Sequence, residues 1–154
     1  MWKVVCGFLL LVGILPAQDI KSLIGLPPLT VDVDVMSKTA GISGPDLKAA
    51  AEARLTSSGI KLATGLETVS GPQMFIAVGP VKEATSTYGV GVFITQYVKP
   101  YRADPATAPT LLMNTWSKNA SGKMADGNPV TPTKELVEKL IDDFVADYRK
   151  ANSK

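Results

Sequence analysis

The polar and apolar positions of this chain change period several times, and each change marks an element. Leu29 to Val35 alternates strictly. Leu29, Val31, Val33 and Val35 fall on one side, and Thr30, Asp32 and Asp34 on the other. Successive strand residues point to opposite faces, so this is a half-buried strand. The longest such run is Tyr88 to Arg102, YGVGVFITQYVKPYR. One side reads Val90, Val92, Ile94, Gln96, Val98 and is almost purely aliphatic. The other reads Gly89, Gly91, Phe93, Thr95, Tyr97, Lys99, which suits a half-exposed face. This strand is expected at the centre of a sheet.

Between these runs the period lengthens. Ser43 is a good N-cap, Asp46 follows three residues later, and Pro45 falls in the first turn, where proline is tolerated. Leu47, Ala50, Ala51, Leu55 and Ser58 then recur at helical spacing. Gly59 is a natural terminator. Ile60 to Ala63 reads as a short strand. Gln73 to Lys82 reads as the next, with Met74, Ile76 and Val78 opposite Phe75 and Ala77. The short polar link Glu83 to Thr87 joins it as a hairpin to the long strand. Thr110 to Ser117 is a last strand, with Leu112, Asn114 and Trp116 opposite Leu111, Met113 and Thr115. Loops are expected at Ser37 to Gly41, Gly65 to Pro72, Ala103 to Pro109 and Lys118 to Pro132. The last contains the glycosylation acceptor pattern Asn119-Ala120-Ser121, relevant only in a eukaryotic secretory pathway.

A final helix begins near Thr131 or Thr133. Leu136, Val137, Leu140, Ile141, Phe144, Val145 and Tyr148 fill half of its wheel and charges fill the rest. Arg149 and Lys150 sit at the negative helix end. The order strand, helix, four strands, helix predicts an α+β two-layer sandwich. A mixed, mostly antiparallel sheet of about five strands would carry both helices on one face. Its other face would be left open.

The first residues change the picture of where the chain goes. Lys3 precedes the apolar run Val4 to Leu15, and Pro16 and Ala17 close it. A run this short falls below the roughly 20 apolar residues of a spanning helix. The order is that of a secretory signal peptide. Residues 1–17 are therefore expected to be removed, with cleavage after Ala17. Residues 18–154 would form a single domain, secreted or periplasmic, with no membrane span. The lead-in Asp19 to Pro28 cannot be a regular helix at its two prolines. Cys6 lies inside the leader, so the mature domain would have no cysteine and no disulfide.

The chain has 154 residues, no histidine and a net charge of +2, which Lys3 lowers by one on leaving. That balance gives no electrostatic reason to expect nucleic acid as a partner. Without histidine and mature cysteine, Ser-His-Asp and Cys-His catalysis and thiolate or imidazole zinc sites are excluded. Gly89-Val90-Gly91 lacks the third glycine and the helix of a phosphate loop. No cofactor is implied. Asp32 and Asp34 share a strand face and could serve acid-base chemistry, but alternation alone demands polar residues there. Ser37 and Lys38 are adjacent, but nothing places them together usefully for catalysis.

The aromatic set Tyr88, Phe93, Tyr97, Tyr101 and Trp116 is the remaining candidate. Phe93, Tyr97, Lys99, Tyr101 and Arg102 gather toward the end of the long strand, and Tyr and Arg are enriched at contact hot spots. The plainer reading makes Phe93 and Trp116 packing residues of a second, smaller core with tyrosines at its rim.

The element order, the segment SSGIKL closing the first helix and FVADYRKAN in the last resemble many small secreted bacterial proteins of unknown function. More loosely they resemble the amino-terminal domain of TolB and related envelope adaptor domains. The resemblance covers most of the mature chain in layout and carries no catalytic residues. It implies an envelope protein used for binding. The expectation is thus a non-catalytic binding module that engages an envelope protein or other envelope component through its open sheet face or an edge strand. The alternatives are a carboxylate-dependent enzyme such as a glycan hydrolase, and a small-ligand carrier with an apolar pocket.

Overall fold

A computed structural model of the chain describes residues 20–36, 42–65, 71–80, 87–99, 107, 109–123 and 130–153. The leader, Tyr101, Arg102 and most of the expected loop positions lie outside these residues. The order is a 3₁₀ turn at Ile20–Leu23, β1 at Thr30–Val35, α1 at Gly44–Ser57, β2 at Gln73–Pro80, β3 at Thr87–Val98, β4 at Leu111–Lys123 and α2 at Val130–Asn152. The strands form one four-stranded sheet in the order β1-β2-β3-β4. β1 runs parallel to β2, with α1 in the connection, and the other pairs are antiparallel. The architecture is the expected α+β sandwich. The short strand at Ile60 to Ala63 is reduced to a single bridge between Leu29 and Leu62.

One sheet face takes both helices. Val31, Met74, Ile94 and Trp116 align across the strands, and Val33, Ile76, Val92 and Lys118 form the next row. Leu47, Ala51 and Leu55 of α1 pack here, as do Val137, Leu140, Ile141, Phe144 and Val145 of α2. The stripe on α1 is narrow, and alanine in its middle lets the helix lie close to the sheet. Ser43 caps α1 as its sequence predicts, its hydroxyl accepting from the Asp46 amide at 3.3 Å. Gly59 follows the C-cap at φ +83, a conformation that only glycine adopts without strain.

Long-range polar links join the helix layer together, among them a donation from Arg149 to the Ser58 carbonyl at 3.2 Å. The Arg54 guanidinium donates twice to the Asp142 carboxylate, at 2.7 Å each, tying α1 to α2. Asn152 at the end of α2 holds the 3₁₀ turn: its amide donates to the Leu23 carbonyl at 2.9 Å, and its oxygen accepts from the Gly25 amide at 2.9 Å. Leu23 is thereby carried into the core.

β4 differs most from expectation. It extends to Lys123, so Lys118 to Lys123 is strand where a loop was expected, and Asn119 of the acceptor pattern lies within it. The pairing also shifts between Ile94 and Thr95: Ile94 faces Trp116, and Thr95 faces Asn114. Thr115 is the extra residue of a β-bulge. A bulge reverses the alternation, so Trp116 turns to the helices while Leu112 and Asn114 turn to the open face.

Candidate functional site

The bulge corrects the aromatic set. Trp116 and Tyr88 are buried in the main core beneath α2 and do not belong to a second core. The Trp116 ring meets Phe144 edge-on at 5.2 Å, and its indole N–H donates to Asp147 at 3.1 Å. Lys118 approaches the same carboxylate at 3.2 Å and lies over the indole ring. Tyr88 sits beneath Gly122, where a Cβ would lie 2.6 Å from the phenol oxygen. Burial raises the Tyr88 phenol above its ordinary range; the Thr133 hydroxyl opposes this shift and the Glu135 carboxylate adds to it. Thr133 is itself buried, and its hydroxyl has no partner within full hydrogen-bond geometry.

Gln96, a polar residue on the expected aliphatic side, is explained by the bulge. Its side-chain amide donates to the Thr115 hydroxyl at 2.7 Å and to the Ser22 carbonyl at 3.1 Å. The Ser22 hydroxyl in turn donates to the Thr115 carbonyl at 3.0 Å. The 3₁₀ turn thus fixes the irregularity from the helix side.

The open face is built in register. Asp32, Phe75, Phe93 and Ser117 form one row, and Asp34, Ala77, Gly91 and Asn119 the next. Phe75 and Phe93 lie 6.5 Å apart, tilted at 40°. The Phe93 ring folds over Gly91, which is buried although it has no side chain. Phe93 is therefore half-buried, a packing residue of the open face. Beyond it, Tyr97 pairs with Leu112 at the same end of the sheet.

That end is where apolar surface is left uncovered. Tyr97 is 54% exposed, Leu112 59%, Met113 49% and Leu111 42%. Lys99 is exposed just past the end of β3. Of the predicted set Phe93, Tyr97, Lys99, Tyr101 and Arg102, the described residues bring Tyr97 and Lys99 to this end, with Phe93 four residues before Tyr97 on the same face. The sequence reading did not single out Leu111 to Met113. Their signal was present: three consecutive apolar residues cannot all face one core on a strand.

Asp32 and Asp34 are exposed on β1, and the Asp32 carboxylate accepts from the adjacent Val33 amide at 3.0 Å. Among the described residues, no group of three or more histidine, cysteine, aspartate or glutamate side chains could hold a metal ion. Depressions lie on the surface of the described residues. One of about 340 Å³ is lined by Tyr88, Gly122, Pro132, Glu135, Leu136 and Lys139. A smaller one of about 140 Å³ lies against Leu29, Val31 and Leu62, with Lys48 and Glu52. No helix among the described residues is long and apolar enough to cross a membrane.

No protein-family model matches the chain, and no curated protein matches it. Among solved structures, the chain is similar to a minor lipoprotein from Acinetobacter baumannii, at a TM-score of 0.30 and 12% identity, over 83% of this chain and 92% of that one. A superposition this loose carries no argument about function, and nothing in these comparisons supports the TolB likeness.

Proposed function

We propose that this chain is a non-catalytic binding module that works outside the cytoplasm, engaging an envelope protein or other envelope component through the open side of its sheet. The observation that supports this most is the Tyr97–Leu112 pair, both exposed on the open face at one end of the β3–β4 pair, with Leu111 and Met113 exposed on the other side of the same strand end. Scattered exposed apolar residues are ordinary, but a contiguous group of them usually marks a contact surface. Tyrosine beside aliphatic side chains, with Lys99 at the border, suits a protein partner. The leader pattern of residues 1–17 supports the location.

The reading is tested by affinity capture from an envelope fraction with the secreted product as bait. A partner retained by the wild type and lost by a folded Tyr97→Ala/Leu112→Ala variant is the expected result. Equal retention by both proteins would remove this end of the sheet from the proposal.

A further inference from the structure

We propose that the outer edge of β4 is a self-association edge, on which a second copy of this chain adds its own β4 in antiparallel pairing about a two-fold axis. The sheet has two edges, and they are treated differently. An edge strand presents unpaired main-chain donors and acceptors, and natural sheets guard such edges with covers, prolines, short strands, β-bulges or charge.

The β1 edge is guarded. Lys61 to Ala63 crosses its start, with the Leu29 amide donating to Lys61 and the Ala63 amide to Leu29. Asp32 and Asp34 stand exposed along the remainder. Two β1 strands placed side by side would bring these carboxylates together, and like charges opposite each other destabilise a pair.

Among the described residues the β4 edge has one of these devices, the bulge at Thr115, and lacks a cover, a proline and an exposed mid-strand charge. It runs for 13 residues without a proline or an acid, well beyond a usual strand of about 5–6 residues. Among the described residues no strand lies beyond it. Its one mid-strand charge, Lys118, is turned to α2 and neutralised by Asp147 at 3.2 Å and Asp143 at 3.8 Å. Asn114, Asn119 and Ser121 are exposed but uncharged.

The identity of the occupant follows from this charge pattern. A strand paired with its own copy meets every charge it carries, so self-pairing is favoured only where the strand carries almost none. β4 meets that condition and β1 does not. Pairing about a two-fold axis is isologous and closes after two copies, and main-chain hydrogen bonds supply the contact. It also gives Leu111, Leu112 and Met113 a neighbour. The two sheets become one continuous sheet whose open face carries Tyr97 twice. The inference does not depend on the proposed function, since a dimer could form with no other partner, and the Tyr97 surface could act from a monomer.

The test is sedimentation equilibrium on the product secreted from the full chain, from micromolar to sub-millimolar concentration, with amide hydrogen exchange at both limits. The expected result is a dimer whose formation protects the amides of residues 111–122. Leu112→Lys/Asn114→Lys, both at exposed positions, should retain the circular dichroism of the wild type and weaken the dimer about tenfold or more, equivalent to about 1.4 kcal/mol. A monomer at every concentration would overturn the proposal. So would a dimer unchanged by the two lysines, a dimer that protects other segments instead, or a monomer that takes up only a foreign strand.

Discussion

Gly91 has no room for a side chain as its neighbours stand. A Cβ there would lie 2.6 Å from the Phe93 ring and 2.7 Å from the Asn119 side chain. The atoms it meets are the far ends of two side chains on the open face, so they can move aside while alanine recovers about 0.5–1 kcal/mol of glycine's conformational cost. Gly91→Ala should therefore lift Phe93 from its groove, read as greater exposure of its ring, with little change in the urea midpoint. Thr133 is a different case. Its buried hydroxyl lacks a well-formed partner, and such a group costs about 1–3 kcal/mol. Thr133→Val should raise the stability read from urea unfolding by up to about 1 kcal/mol, less what the weak contact to the Tyr88 phenol contributes. Tyr88 sets an alkaline limit. Its folded phenol is raised, so its contribution is complete below the unfolded value near pH 10 and is lost as pH rises through the folded value. Thermal melts should show this loss in the wild type and less of it in Tyr88→Phe. Trp116 shows what a sequence conceals at this scale. Its place on a strand was legible, but its face was not, because one inserted residue at Thr115 reverses the count.

At the scale of elements, the helices were the most legible. The Ser43 cap, the Gly59 stop and the apolar half of α2 all follow from side-chain chemistry within one turn of their own position. β4 was less legible, because Asn119, Ser121 and Gly122 have weak strand propensity and are held by pairing with Gly91, Gly89 and Tyr88. The tie between α1 and α2 could not be read at all, since Arg54 and Asp142 are 88 residues apart. Its pH dependence is nevertheless defined. The Arg54 hydrogen bond holds the Asp142 carboxyl below its ordinary range. The contribution is present above the unfolded value near pH 4 and lost as pH falls through the folded one. The stability difference between wild type and Asp142→Asn should be small at neutral pH, since the pair is half-exposed, and should vanish in acid. Asn152 should matter more than its exposure suggests. Asn152→Ala removes two long-range hydrogen bonds to the 3₁₀ turn, about 0.5–1.5 kcal/mol each, and should speed amide exchange at Gly25.

For the whole molecule, one face of the sheet is explained by the described residues and the other is not. The aliphatic side of β3 is covered by the two helices that the pattern required. Among the described residues the opposite side keeps a thin layer, Phe93 over Gly91 beside Phe75, and ends in exposed Tyr97 and Leu112. The open face was legible from alternation. The concentration of its apolar surface at one end was not, because it depends on the bulge that turns Leu112 outward. That surface is the centre of the account, and it is tested most directly by photo-crosslinking in cells that make the protein. With a photoreactive residue at position 97, the expected result is an adduct to a different envelope protein, with none from position 52 on the helix side. No adduct at 97, or the same adduct from both positions, would contradict it.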